Sequence, residues 1–373
     1  MIATPVQNSA QDHVHMARAL YVATRARNSC DPNPRVGCVI EAGGKIVGEA
    51  WHQRAGDSHA EIIALNQAGE QARGATVFVT LEPCCHTGKT GPCTAALIDA
   101  GVERVVVAMN DPNPQVAGGG HRALSTAGIK VSTGLLSAQS EQINRGFVSR
   151  MRNGRPFVCS KIAASRDGRV ALPEAKQLWI SSQQSRDDVQ QMRAQVSAIL
   201  TGVNTVIADN PRMTVRLEKD NSWQQPMRVI LDSRLRTPVD AKILHNKATT
   251  VIMAREDAPA DRVGALERVG AKVMRVAANG DGLQLNEVMA ELAALELNEV
   301  LVESGPKLNS SLLRAGLLDE IVVYQAAHTL GDDARPMFES PRVTDMANRP
   351  EFDLVSTRPI GDDWRMRFVP GSV

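Results

Sequence analysis

Apolar positions along this chain follow two alternating periods, the helical 3.6 and the strand period of two. Val14, Ala17, Leu20 and Tyr21 have helical spacing and predict a helix over residues 13–27. The run from Val36 to Ile40, a Gly43–Gly44 turn and the run from Ile46 to Trp51 predict a β-hairpin. A helix is then expected from His59, a buried strand ending near Leu81, and a helix ending at Gly101. An apolar strand follows from Arg104, and a last one spans Ile129 to Thr133. A second series opens with a strand at 157–163, an SRDG turn, and a polar-faced helix with Val189, Met192 and Val196 inward. It continues through AILTGVNTVIADNP, which starts as a buried strand and passes into a loop or short helix, the strands MRVILDS, TTVIMA and KVMRVA, the helix LNEVMAELAAL, and a strand, glycine turn, helix and strand over 299–326. Such alternation makes both series α/β. The polar, basic stretch Met151–Pro156 lies between them and reads as a linker, giving domains 1–153 and 154–373.

Composition narrows the function classes. In 373 residues, 42 Lys+Arg against 41 Asp+Glu leave a net charge of +1. That balance opposes a nucleic-acid-binding role, and 6 Phe, 4 Trp and 2 Tyr offer few stacking platforms. No apolar run is long enough to span a membrane, and the N-terminus lacks a cationic start and apolar core, so a cytoplasmic protein is expected. The 6 cysteines are skewed: 30, 38, 84, 85 and 93 precede Cys159, and none follows it. In a reducing compartment, clustered cysteines point to metal or catalysis rather than disulfides.

His59-Ala60-Glu61, Pro83-Cys84 and Cys93 form such a cluster. Each metal candidate sits at a helix start or in the loop before one, where thiolate is favoured. One His and two Cys make three zinc ligands and leave a fourth position for water, the catalytic arrangement. Zinc would lower the pKa of that water toward ~7. Glu61 can take the water's proton and return it to a leaving amine. H-x-E followed by P-C and a later Cys is the zinc-deaminase pattern, although eight residues, not two, separate Cys84 from Cys93. Adjacent side chains rarely reach one ion together, so Cys85 stays open as an alternative to Cys84.

The segments PNPRVGCVI, WHQRAGDSHAE, TLEPCCHTGKTGPC and NDPNPQVAGGG resemble the deaminase domain of the bifunctional deaminase/reductase of riboflavin biosynthesis. The long loop between the cysteines is typical of that family. The resemblance implies a cytidine-deaminase-like three-layer α/β/α domain, with a diaminopyrimidinone carrying a 5-phosphoribosylamino group as substrate. Its 2-amino group would leave as ammonia. Asn33, His52, Asp111 and Asn113 would contact this substrate, with His86 and Lys89 near its phosphate. Asn33 and Asn113 also suit turns before proline, and Lys89 suits a solvated loop. Ala50 and Gly91 depart from the family pattern.

In the second half KIAASRDGR, LWISS, MRAQVSAILTGVNTVIADNPRMTVR, VILDS and VLVESGPKLNSSLL resemble the same family's reductase domain. There is no G-x-G-x-x-G fingerprint of the Rossmann type. The Glu303–Lys307 turn between strand and helix could hold a phosphate on its N–H groups. The resemblance implies a dihydrofolate-reductase-like α/β fold, NADPH, and reduction of the ribosyl group to ribityl. Lys161 and Asp209 would act near the reacting ribose. Gln177, Arg193, Met213, Arg216 and Glu303 would contact substrate. Ala163, Trp179, Thr205, Asp209 and Ser233 would face the cofactor, with Gly305, Pro306, Lys307, Leu308, Asn309, Ser310 and Ser311 from the glycine turn and its helix. Gln177, Met213 and Arg166 replace residues more usual in the family. One zinc per chain, no nucleic-acid or membrane partner and a homo-oligomer, dimer or tetramer, are expected. Two rivals stay open: a nucleic-acid base deaminase, and a structural or redox zinc module without catalysis.

Overall fold

The computed structural model describes residues 8–85, 91–114, 116–173, 179–217, 223–245, 248–339, 345–346 and 349–371. The chain divides into two compact units, Met1–Gly154 and Arg155–Val373.

The first unit carries strands β1 (Gly37–Ala42), β2 (Lys45–Trp51), β3 (Thr76–Leu81), β4 (Arg104–Met109) and β5 (Lys130–Thr133). Its helices are α1 (Ala10–Ala23), α2 (Ala60–Ala68), α3 (Cys93–Asp99), α4 (Gly119–Thr126), α5 (Ser137–Ile143) and α6 (Arg145–Asn153). The five strands form one sheet in the order β2-β1-β3-β4-β5. The β1–β2 and β1–β3 pairs are antiparallel, and β3–β4 and β4–β5 are parallel. Gly43 and Gly44 turn the hairpin with φ of 59° and 81°, the left-handed pair that matches the twist of its strands.

Strand alternation splits the core into two layers. Val77 and Val79 of β3 meet Ala60, Ala64, Leu97 and Leu124 on one face. Phe78, between them, meets Met16, Ala19 and Leu20 on the other. The result is three layers, helix on sheet on helix.

Helix α1 begins and ends earlier than the expected 13–27. Ser9 and Asp12 form a capping box, which starts the helix at Ala10. Met16, Ala19, Leu20 and Ala23 make the buried stripe, while Val14 and Tyr21 are exposed. Tyr21 is held outside by cation–π contact with Arg18 and Arg25. The expected linker is also partly helical: α6 runs through Asn153 and ends at Gly154 in the left-handed region, φ 64°.

The second unit adds β6 (Phe157–Ala164), β7 (Arg169–Ala171), β8 (Ala198–Gly202), β9 (Met227–Leu231), β10 (Thr250–Arg255), β11 (Ala271–Val276), β12 (Ala278–Asn279) and β13 (Gly282–Leu283). Strands β14 (Glu299–Val302), β15 (Glu320–Gln325), β16 (Arg335–Pro336), β17 (Phe352–Ile360) and β18 (Asp363–Pro370) complete it. The helices are α7 (Gln183–Arg193), α8 (Val203–Asp209), α9 (Ala260–Arg268), α10 (Leu285–Ala294) and α11 (Pro306–Arg314). Nine strands form one sheet, β11-β10-β9-β8-β14-β6-β15-β18-β17, with β12–β13 and β16–β7 as small separate ribbons. Pairing is parallel from β11 to β15 and antiparallel in the terminal hairpin. Two cores cover the two faces. Val158, Leu200, Val300 and Val302 pack with Leu292 and Leu312, whereas Cys159, Ile199 and Leu301 pack with Val189, Val206 and Leu266.

Candidate functional site

In the first unit the ends of neighbouring strands bring the expected zinc residues together. His59 is the N-cap residue of α2 and Cys93 begins α3. Cys84 lies three residues beyond β3. The His59 Nδ1, Cys84 Sγ and Cys93 Sγ atoms all lie within 4.8 Å of one another. His59 Nδ1 is 3.2 Å from Cys93 Sγ and 3.6 Å from Cys84 Sγ. A tetrahedral zinc ion with these donor types needs ligand atoms roughly 3.5–3.8 Å apart, so the three residues fit the ion. Cys85 is outside the cluster, and its sulfur packs against Gly119.

The electrostatics suit a metal-binding thiolate. Hydrogen bonding with the Cys93 thiol, followed by that with His59, holds the Cys84 thiol down at about 4 against its burial. The Cys93 N–H donates to Cys84 Sγ at 3.3 Å. Glu61 is buried, and desolvation raises its carboxyl above the ordinary range.

His52 follows β2 and is buried, and burial lowers its pKa. Its Nε2 is 3.1 Å from Asn33 Nδ2, and its ring meets that of His59 edge-on at 5.4 Å. A neutral imidazole can accept that amide's hydrogen bond. Asp111 and Asn113 lie beyond β4, where Asp111 Oδ1 accepts the Asn113 N–H at 2.8 Å. His86, Lys89 and Gln177 lie outside the described residues.

In the second unit a cavity of about 1240 Å³ opens over the ends of the parallel strands. Lys161, Ala163, Trp179, Arg193, Thr205, Asp209, Met213, Arg216 and Ser233 line it, with Glu303, Gly305, Pro306, Lys307, Leu308 and Ser311. Such a volume exceeds that of most drug-sized ligand sites and suits a dinucleotide beside a substrate. Gly305 caps α11 and Pro306 occupies its first turn, so a helix N-terminus borders the cavity. These residues fit NADPH by chemistry: free N–H groups for phosphate and a mixed apolar and polar wall.

Asn309 and Ser310 are the exceptions to the expected cofactor surface. Both are buried on the other side of α11. Asn309 Oδ1 instead accepts from Ser160 Oγ at 3.0 Å and Ser304 Oγ at 2.9 Å, tying the turn to β6. Helical periodicity explains the split, because residues 307, 308 and 311 share one face and 309 and 310 do not.

Glu303 receives Arg193 in a bidentate pair, at 2.6 and 2.9 Å, and Lys161 at 3.2 Å. Burial alone would raise its pKa, but Arg193 and Lys161 outweigh that and hold it well below the carboxylate range. Desolvation raises Asp209, with Arg335 as the opposing charge. Asn210 and Met213, just beyond Asp209, adopt φ of 42° and 48°, strain of the kind stored at ligand-binding loops.

Two features were not anticipated from the residues. Arg186 stacks over the Trp179 ring at 4.8 Å, fixing an otherwise exposed indole beside the cavity. Glu82 is buried immediately before Pro83-Cys84 and accepts backbone N–H groups from residues 111–121. A charge directly after an apolar strand was its only sequence signal.

If His59, Cys84 and Cys93 hold the metal, Cys84→Ser and Cys93→Ser each reduce bound zinc well below about one ion per chain. Cys85→Ser retains it. Elemental analysis of purified variants decides this, and zinc loss in Cys85→Ser with retention in Cys84→Ser reverses the assignment.

Residues 9–109 match the family model for the cytidine and deoxycytidylate deaminase zinc-binding region, and residues 156–366 match that for the RibD C-terminal domain. Riboflavin biosynthesis protein RibD of Escherichia coli strain K12 is 45% identical, over 96% of this chain and 99% of its own. Its namesake from Haemophilus influenzae is 44% identical, over 98% and 99%. Among solved structures, Acinetobacter baumannii RibD aligns with a TM-score of 0.90 and 40% identity, covering 97% of this chain and 99% of that one. A Thermotoga maritima deaminase/reductase aligns at 0.85 and 30% identity, again over 97% and 99%. The zinc-ligand cluster, the strand-end cavity and these full-length likenesses agree, and the chain belongs to the RibD family of bifunctional riboflavin-biosynthesis enzymes, with a zinc-dependent deaminase unit and an NADPH-dependent reductase unit.

Proposed function

We propose that the first unit converts 2,5-diamino-6-(5-phosphoribosylamino)pyrimidin-4(3H)-one to its uracil and ammonia. The second then reduces the ribosyl group to give 5-amino-6-(5-phosphoribitylamino)uracil. The observation that carries this reading is the pairing of a three-ligand zinc cluster beside buried Glu61 with a separate dinucleotide-sized cavity. The Thermotoga maritima relative, described as a diaminohydroxyphosphoribosylaminopyrimidine deaminase/5-amino-6-(5-phosphoribosylamino)uracil reductase, supports the substrate.

Zinc, when bound, is a Lewis acid that makes water nucleophilic near neutral pH. Glu61 carries a proton from the attacking water to the departing amine, a role its raised pKa favours. Asn33 and the neutral His52 hold the pyrimidine edge, Asp111 and Asn113 the ring or ribose, and His86 and Lys89 the phosphate side. NADPH supplies hydride to the second reaction. Lys161 orients the ribose hydroxyls, and Asp209 delivers the proton that the opening ring oxygen needs. Arg193 is already committed to Glu303, which fixes both it and Lys161 beside the substrate. Arg216 completes the positive wall facing a phosphate, with Gln177 and Met213 as further substrate contacts.

Incubation with the diaminopyrimidinone phosphate releases ammonia without NADPH and oxidises NADPH only afterwards; NADPH oxidation without prior ammonia release refutes the order. Glu61→Gln lowers deaminase kcat by about 10²–10⁴ while zinc content and reductase activity hold; full turnover removes Glu61 from proton transfer.

Asp209 yields a pH prediction. A raised pKa keeps its carboxyl protonated to higher pH, so donation is complete below that pKa and fades as pH rises through it. Reductase kcat therefore falls on an alkaline limb, which Asp209→Asn abolishes along with most of the rate. An unchanged profile in the variant eliminates the assignment.

Among the described residues no helix is long and apolar enough to cross a membrane. Two cysteines gathered with a histidine at a zinc-ligand cluster support a reducing, cytoplasmic setting. Exposed Leu354, Val355 and Trp364 on the terminal hairpin support a homo-oligomer. Light scattering tests this, and a monomer at micromolar concentration rejects it.

A further inference from the structure

We propose that Glu82 is a positioning residue for deamination, holding the Asp111–Asn113 segment at a set distance from the metal centre. The carboxylate is wholly buried. Its Oε2 accepts the N–H of Asp111 at 3.2 Å and of Gly118 at 3.1 Å. Its Oε1 accepts the N–H of Gly120 at 2.9 Å and of His121 at 3.4 Å. His121 Nε2 lies 3.7 Å from Oε2. One side chain thus receives four N–H groups spread over eleven residues, which include the first turn of α4. The aligned N–H groups of that helix start favour a negative charge there.

Glu82 is equally fixed on its other side. Its own N–H donates to Met109 O at 3.0 Å, extending the β3–β4 ladder. Pro83 and the ligand Cys84 follow it directly in sequence. Gly120 allows the close approach, since a Cβ there would lie 2.1 Å from Pro83 O. The segment that carries Asp111 and Asn113 and the strand end that carries Cys84 are therefore joined through one carboxylate. Positioning errors of about 1 Å can cost reaction rate or binding by orders of magnitude, and partners behind metal ligands act in this way.

The proposal rests on the reading above that Asp111 and Asn113 meet the substrate. Glu82→Gln places an NH₂ where two N–H groups point, so one pair of bonds becomes repulsive. Steady-state kinetics on the diaminopyrimidinone phosphate should show KM raised about tenfold or more, with kcat within about threefold. Zinc content and reductase activity should be unchanged. Amide hydrogen exchange should accelerate across residues 110–121 and not in β3. Gly120→Ala keeps the carboxyl group but presses its Cβ on Pro83 O and Glu82 Oε1, pushing the segment off the carboxylate, and should raise KM likewise, which keeps the test decisive if Glu82→Gln does not fold. Zinc loss, or a fall in kcat at constant KM, would overturn the proposal in favour of an action on the metal centre. Accelerated exchange with unchanged KM would also overturn it. Asp111→Ala separates the two readings. If it raises KM and neither Glu82→Gln nor Gly120→Ala does, the Glu82 proposal alone fails. If Asp111→Ala leaves KM unchanged, the substrate role of the segment fails first.

Discussion

Parallel strand pairing is the constraint on which both sites depend. Parallel strands end on the same side of a sheet, and the loops that leave them converge there. In the first unit β3 and β4 run parallel, and Cys84 and Asp111 lie just beyond their ends. The antiparallel hairpin does not break this arrangement. Gly37 of β1 pairs with Trp51 of β2, and Cys38 pairs with Val79 of β3. Asn33 before β1 and His52 after β2 therefore reach the same edge. In the second unit Gly202, Ser233 and Glu303 lie at or just beyond the ends of β8, β9 and β14, and Lys161 of β6 is level with Glu303; these strands are mutually parallel. Each site is gathered from distant segments by one topological fact.

The two sites handle buried charge differently. Glu303 is surrounded by cations, and opposite charge outweighs desolvation. Glu82 is surrounded largely by peptide N–H groups. An N–H array gives a carboxylate directional bonds and so fixes the position of the backbone that donates them. A cation cluster suits the second site, where the ligands expected are phosphorylated. The net charge of +1 conceals this local specialisation.

Much of the fold was legible because strands with two buried faces read as continuous apolar runs. VFVTL, RVVVAM, AILTG and VIMA could be placed from the chain alone, and each is a strand in the structure. Short helices were harder. Helices α4, α5 and α6 are short and largely polar, each with few apolar residues, and owe their helicity to packing. Apolar residues occur around much of the surface of α1, so spacing alone does not select its buried face. Packing selected Met16, Ala19, Leu20 and Ala23, and left Tyr21 to the arginines. The terminal hairpin β17–β18 carries no clear strand pattern in the chain, its outer strand being largely exposed and mixed in character.

The sequence by itself determined the chemistry available: an H-x-E and a later P-C and Cys in deaminase order, and a glycine turn between an apolar strand and a helix. Residue types and local spacing carry that information because ligand chemistry and turn conformation are properties of short segments. Tertiary structure decided which of the adjacent cysteines joins the cluster, which side of α11 faces the cavity, and that Arg193 is spent on Glu303. It also decided that Glu82, unremarkable in the chain, joins two loops 29 to 39 residues apart. Those outcomes depend on where side chains point after strands pair and helices pack, and no local pattern encodes that direction.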